Sequence, residues 1–462
     1  MEGQPCCWNP SSSRSSTAAR CPSCRVPSSN GLLPVKTLDT LFRQQAQRQY
    51  TRELLFSSVV DLLSLVVCGK HPTVHAAYRA QRERLPVSLT SVYNKLAGIE
   101  TDVSAELVRH TSRQLQPLLR ELHAALPEPV PGYHLRILDG NKLAGTQHRL
   151  PETRDDAAAP LPGQTLAILE PRWMLITDVL PCEDAYTQER ALLDDIAAKV
   201  QERDLWLADR NFCVQRFLLQ VAARDGFFII REHAQFRRAC CTRLRRQGRT
   251  ETGTALEQRI WFSDDEGKLH HLRRVVLRLD EPTQEGETEV ILLTNLPDDV
   301  SAPTVAQTYR KRWTIEGVFH ELTEVLACEV DTLCYPKAAL FAFCVAVVAY
   351  NIQSVLKGAL RAVHGTEKVQ EEVSAYYLAE EIAGVYRGMM IAIPASHWER
   401  FGSLPVAEFA AVLRELSAKV DMARLQKSRS RPKKTKPKRR HSKKRPHVST
   451  FRILQARQAA SR

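Results

Sequence analysis

From about Leu38 to Leu126, apolar residues recur at three- and four-residue steps, as in Leu54, Leu55, Val59, Leu62, Leu63 and Val66. That spacing puts them on one face of a helix. Ser88 and Thr101 stand where helix N-caps are expected. SLTSVYNKLAGIE, set off by Pro86 and Gly98, predicts a short helix. The block is either a plain helical bundle or one that carries a helix-turn-helix.

Past Pro127–Pro131 the period changes. Strand-like runs HLRILDG (134–140), TLAILE (165–170), WMLITDVL (173–180), DLWLADR (204–210) and GFFIIREH (226–233) alternate with helical stretches near 185–201 and 213–224. Such alternation predicts an α/β sheet with helices packed on it. Residues 234–288 break the rhythm with Arg- and Gln-rich text and short strand-like pieces, RIWFSD and RRVVLRL, which predicts a β-rich insertion. EVILLTNLP (289–297) restores the pattern, and one long helix is expected from about Ala302 to Leu326. Helices follow from about Ala338 to Leu425. The expected organisation is a disordered leader (1–31), a helical N-terminal region (32–128), a sheet domain in two parts (129–233 and 289–330) around the insertion (234–288), a helical C-terminal region (331–425) and a basic tail (426–462).

Charge alters this picture in one place. The 462-residue chain carries 65 Lys and Arg against 52 Asp and Glu, a net charge of +13. Twelve of those cations lie in residues 427–446, with no acid among them, leaving a body of 53 against 52. A neutral body with one cationic tail excludes a wholly basic nucleic-acid coat. Pro432, Pro437, Pro446 and like-charge repulsion predict a disordered tail. Its residues, Lys433, Lys434, Arg439 and Arg440 among them, suit non-specific contact with DNA phosphates. The apolar run Ala338–Tyr350 is too short to span a bilayer and Asn351 and Gln353 follow it. The N-terminus lacks the apolar core of a secretory signal. No membrane association is expected, and the twelve Cys are expected as reduced thiols in the cytoplasm. Cys21 and Cys24 have CxxC spacing in the leader, but a closed zinc site needs four ligands.

Three acids stand out by position. Asp139 and Asp209 each end a strand-like run and precede a turn signal, and Glu316 lies within the helix after the sheet. Acids at strand ends sit at the rim where α/β sites gather, and converging carboxylates make an oxygen cage for a divalent cation such as Mg²⁺. On a helical projection of 100° per residue, Tyr309, Arg312, Trp313, Glu316 and His320 share one face, opposite Ile315, Val318, Phe319, Leu322, Val325 and Leu326. That mixture of aromatic and charged groups suits a ligand with aromatic and anionic parts.

The text YRKRWTIEGVFHELTE resembles the signature of DDE transposases of the insertion-sequence-four family: Tyr, two residues, Arg, three residues, Glu, six residues, Lys. Tyr309, Arg312 and Glu316 match it. LDGNKLAGTQHRL, ADRNF and LLTNLP resemble the blocks around that family's first Asp, second Asp and final sheet strand. The resemblance covers roughly residues 130–340. It implies an α/β, ribonuclease H-like mixed sheet with helices on both faces. It implies Asp139, Asp209 and Glu316 as catalytic carboxylates holding two Mg²⁺ ions (or Mn²⁺), with Tyr309, Arg312, Trp313 and Arg210 contacting DNA. It further implies cleavage at insertion-sequence ends, strand transfer into double-stranded target DNA, a homodimer on DNA and a nucleoid-associated location. The signature's Lys is replaced by Thr323, which brings no charge to a phosphate; a catalytically impaired or domesticated relative that binds DNA is the alternative. The strand Trp that accepts a flipped base in some members is here Val290. Trp261 or Trp313 could take that place, although Trp261 reads first as a packed aromatic of the insertion.

Overall fold

The computed structural model describes residues 35–48, 53–143, 150–153, 160–283, 286–330, 332–381, 401, 404–427 and 447–460. The leader with Cys21 and Cys24, and the tail residues Lys433, Lys434, Arg439 and Arg440, lie outside them.

A ten-stranded sheet organises the molecule. Its strands are β1 (His134–Lys142), β3 (Gln164–Glu170), β4 (Leu175–Cys182), β5 (Asp204–Ala208), β6 (Phe227–Arg231), β7 (Cys240–Cys241), β8 (Arg245–Thr250), β9 (Gly253–Ser263), β10 (Leu269–Leu279) and β11 (Glu289–Thr294). The spatial order is β4-β3-β1-β5-β6-β11-β10-β9-β7, with β8 also paired to β9. β1, β3 and β4 form an antiparallel meander, β5 and β6 run parallel to β1, and β11, β10 and β9 alternate in direction. The strands of 234–288 therefore lengthen the same sheet instead of folding apart from it. β10 joins them to β11, pairing Arg273 with Thr294 through to Arg278 with Glu289. A separate two-stranded sheet pairs β2 (Pro160–Leu161) with β12 (Val448–Ser449).

Alternation along the strands builds a core on each face. Ile137, Leu207, Val275 and Leu292 belong to the larger core, while Leu138, Trp206, Ala208 and Phe228 belong to the other. The smaller core is closed by α6 (Leu193–Ala197) and α7 (Gln215–Ala222). The larger one gathers α1 (Val35–Gln45), α2 (Phe56–Val67), α3 (Val74–Ala80), α4 (Leu89–Gly98) and α5 (Thr101–Glu121). It also takes in α8 (Ala302–Tyr309), α9 (Thr314–Glu324), α10 (Pro336–His364) and α12 (Val406–Ala418); α11 (Thr366–Glu372) and α13 (Thr450–Ala460) lie outside it.

α10 is long and apolar enough to cross a membrane, longer than its uninterrupted apolar run implied, yet its most apolar window is wholly buried within the protein. Asn351 is fully buried, and its amide accepts from the Ile176 N–H at 2.9 Å and donates to the Ile176 carbonyl at 2.8 Å. It thus satisfies a backbone pair on β4, which among the described residues has no strand beside it on that side.

Four local expectations change. The strand that carries Asp139 does not end there: β1 runs on to Lys142, with Asp139, Gly140 and Asn141 paired to Ala167, Leu166 and Thr165 of β3, so Gly140–Asn141 is extended strand and not a turn. Ser88 does cap α4, accepting from the Ser91 N–H at 3.1 Å, but Glu100, not Thr101, takes the N-cap position of α5. The Glu100 carboxylate accepts from the Gln47 N–H at 3.0 Å and the Arg48 N–H at 2.6 Å, tying the end of α1 to the start of α5. The helix expected over 185–201 contracts to a 3-10 turn, Glu189–Leu192, followed by α6. Upstream, Asp184 accepts from the Tyr186 N–H at 3.0 Å and holds 184–187 as a turn. The single helix expected from Ala302 to Leu326 is two helices joined by a 3-10 turn, Arg310–Trp313. That tighter winding shifts the projected face: Tyr309 and Arg312 are buried, and Trp313 is 47% exposed.

Candidate active site

Leu138 faces Ala208 at the end of the parallel β1–β5 ladder, so Asp139 and Asp209 occupy the next position on neighbouring strands. Adjacent strands lie about 4.8 Å apart. Asp209 keeps an extended backbone (φ −76°, ψ 174°) before the 3-10 turn Arg210–Phe212. Alternation therefore places Asp139 on the face of Ile137 and Asp209 on the face of Leu207, the face covered by Ile315, Val318 and Leu322 of α9. Two acids 70 positions apart thus reach one rim because parallel pairing sets β5 beside β1.

Glu316 enters from the first turn of α9. Arg312 connects it to the sheet: Nη1 donates to Asp139 Oδ2 at 3.2 Å and Nη2 to Glu316 Oε1 at 2.7 Å. Arg312 Nε is buried without a hydrogen-bond partner. A charged donor left unpaired in a protein interior is costly, so this N–H is one that an arriving ligand oxygen would satisfy. Tyr309 stands beside Arg312 and near Asp209, and burial pushes its phenol well above its ordinary range. Trp313 stacks edge-on to Tyr309 at 6.2 Å, with the Arg312 guanidinium 5.4 Å from its ring centre. Arg210, half exposed, lies 3.8 Å from Glu287.

Asp139 is the electrostatic focus. Burial raises its carboxyl to about 6; Arg312 and the Gly140 N–H, 2.9 Å from Oδ1, pull the other way, and Glu189 and Glu316 add to the rise. Glu189 carries a signal that the sequence reading missed. It starts the 3-10 turn after β4, and its carboxylate lies over Gly140, where a Cβ would come within 2.0 Å of Glu189 Oε1. A larger residue at 140 would have to turn the end of this fourth acid's side chain aside. No spacing rule links positions 140 and 189, so nothing in the sequence flagged the pair.

Among the described residues, no three His, Cys, Asp or Glu side chains stand close enough to hold a metal ion. The Arg312 guanidinium bonds both Asp139 and Glu316 and so compensates their charge. The donor set itself fits a hard divalent cation: carboxylate oxygens, with further negative charge from Glu189. Thr323 is exposed and its hydroxyl donates to the Phe319 carbonyl at 3.0 Å, so the position offers no cation. Val290 is buried in the larger core, and Trp261 is half-buried on β9 between Cys240 and His271 of the adjacent strands.

Residues 166–352 match the family described as transposase DDE domain, a span that includes Asp209 and Glu316 but begins after Asp139. No curated protein shows significant similarity to the chain. Among solved structures, a cryo-EM structure of the piggyBac transposase synaptic complex with hairpin DNA overlaps 80% of this chain and 82% of its own, at 10% identity and a TM-score of 0.35.

Proposed function

We propose that the chain is a DDE transposase that cuts DNA at the ends of an insertion sequence and joins them to target DNA. The observation that carries this reading is the register of Asp139 and Asp209, each one residue past the last pair of the parallel β1–β5 ladder, with Glu316 linked to Asp139 through one guanidinium. The match to the transposase DDE domain family supports it. The order β4-β3-β1-β5-β6, an antiparallel meander followed by two parallel strands, supports a ribonuclease H-like core. The Tyr309–Arg312–Glu316 spacing supports placement in the insertion-sequence-four family.

Asp139, Asp209 and Glu316 would hold two Mg²⁺ ions (or Mn²⁺) at one phosphodiester. When bound, the ions would activate the attacking oxygen and stabilise the departing one in an in-line displacement. Arg312 turns from Glu316 toward a phosphate, using its planar fork and the spare Nε–H. Trp313 offers an exposed ring beside the scissile position, and stacking on an unpaired base is worth about 1–3 kcal/mol. Tyr309, held by burial as a neutral phenol, and Arg210 flank the strand. The helical region 32–128 and the tail residues Lys433, Lys434, Arg439 and Arg440 hold flanking duplex. Two catalytic sites, hence a homodimer, serve the joining of two ends.

The test uses the full chain, Mg²⁺ and a duplex carrying the inverted repeats that flank the coding region. The unaltered protein should nick or hairpin the end. Asp139→Asn, Asp209→Asn and Glu316→Gln should each abolish cleavage and leave binding nearly unchanged; normal cutting by all three would remove the site assignment. A second reading, a relative that binds DNA without cutting, is favoured by Thr323, whose hydroxyl is spent on its own helix. Binding by the unaltered protein without cleavage in either Mg²⁺ or Mn²⁺ would select it.

A further inference from the structure

Most arginines on the sheet are matched to acids. Arg273 makes a bidentate pair with Glu257 at 2.7 and 2.8 Å, Arg274 meets Glu232 at 2.8 Å, and Arg259 pairs with Asp298. The strands at the far edge break this pattern. Arg243 and Arg245 are exposed and, among the described residues, their side chains have neither a carboxylate nor a hydrogen-bond partner, although Arg245 lies opposite Glu257 in register. The Glu257 carboxylate is already spent on Arg273.

Both arginines line a cavity of about 580 Å³ whose other walls include Arg259, Arg273 and the start of α8 at Ser301. Four guanidinium groups against Glu257 and Asp298 leave the lining net positive by two charges. The cavity opens on the face that carries the candidate active site. Val275 and Leu277, which alternate with Arg273 on β10, belong to the larger core, as do Val305 and Tyr309 of α8. α8 starts at the cavity and ends at Tyr309, eight residues later, about 12 Å at the helical rise. Across the sheet, β9 lies four strand steps from β5, about 19 Å at the usual spacing. A duplex rising about 3.4 Å per base pair covers that distance in five or six pairs.

We infer that this cavity, through Arg243 and Arg245, seats backbone phosphates of the duplex whose scissile end lies at Asp139 and Asp209. The inference deepens the proposed function and rests on it for the identity of the polyanion. A strand bound at both places would run along α8, with phosphates gripped at the far edge. Arg243 and Arg245 are positioning residues: they set the register of the duplex and touch no reacting atom. The unpaired guanidinium groups are the reason for choosing a phosphate ligand. Cations without a carboxylate partner release counterions when a phosphate replaces the solvent ions around them.

The experiment measures binding of the full chain to a labelled random-sequence 40-base-pair duplex across a salt series, with far-UV circular dichroism and urea midpoints to verify folding. Arg243→Gln with Arg245→Gln should weaken binding about tenfold and reduce the slope of log K against log salt by about two, near 0.9 for each phosphate neutralised. Arg216→Gln with Arg224→Gln removes the same charge from α7 and the turn that follows it, on the opposite face, and should leave the slope where it was. Asp298→Asn, which takes an acid out of the cavity wall, should tighten binding. An unchanged slope in the first pair, an equal loss in the second, or no salt-dependent binding by the unaltered chain would each overturn the inference. Cleavage is not the readout, so failure of the catalytic reading would show separately: no cutting, with the slope difference intact.

Discussion

Arg312 sits between two carboxylates and keeps one of its own N–H groups unsatisfied, so the residue that completes the site also stands in its way. Asp139 beside it has its carboxyl raised to about 6, chiefly by burial. The two consequences have opposite signs. Between the ordinary aspartate value and about 6, the folded state binds the proton that the unfolded chain has lost; for this group alone, stability falls as pH rises through that window. Urea midpoints of the metal-free protein from pH 4 to 7 should show the fall, and Asp139→Asn should flatten it. Cation binding needs the deprotonated form, so cleavage should decline below about pH 6, and the decline should move to lower pH as Mg²⁺ rises, because ligand and proton compete. Gly140 gives a second residue-scale prediction. A Cβ there meets only the flexible end of Glu189, with Oε1 at 2.0 Å, so Gly140→Ala should turn that side chain aside at a cost of no more than about 1 kcal/mol. Glu189→Ala in the same background should recover most of it in urea unfolding.

At the scale of elements, the break at Arg310–Trp313 is decisive. A continuous helix would array Tyr309, Arg312, Trp313 and Glu316 along one surface; the 3-10 turn instead buries the first two and presents the ring of Trp313. The helical periodicity over 302–326 was legible, and the break was not, because the Asp139 carboxylate that Arg312 reaches lies 173 positions away. α10 shows the same dependence on distant partners. Its apolar text suits a membrane or a core, and here the whole of its most apolar window is buried, with Asn351 bonded to β4. Asn351→Leu leaves both Ile176 backbone groups unpaired, so it should destabilise by about 2–4 kcal/mol, seen as a lower urea midpoint with an unchanged m-value.

For the whole molecule, charge is distributed between a nearly neutral body and a tail holding twelve cations in residues 427–446. The proposed division of labour is sequence-independent attraction by the tail and register by the body. Replacing Lys433, Lys434, Arg439 and Arg440 with Gln should flatten the salt dependence of duplex binding by up to about four units of slope, near 0.9 for each phosphate no longer neutralised. Cleavage of saturated end duplex should stay unchanged. A fall in cleavage at saturation would place the tail at the chemistry itself.

The sequence by itself determined most of the kinds of element, their order, the strand end at Asp209, and the concentration of positive charge in one segment, whereas the strand through Asp139 runs on to Lys142 against the turn signal of Gly140–Asn141. Those are local properties, set by side-chain periodicity, turn residues and composition within a few positions of one another. Tertiary structure alone decided that Arg312 joins Asp139 to Glu316, that Glu189 leans over Gly140, and that the strands of 234–288 lengthen one sheet. Each of these depends on pairing between segments tens to hundreds of residues apart, and strand register brings such positions together without leaving any mark on the spacing within either segment.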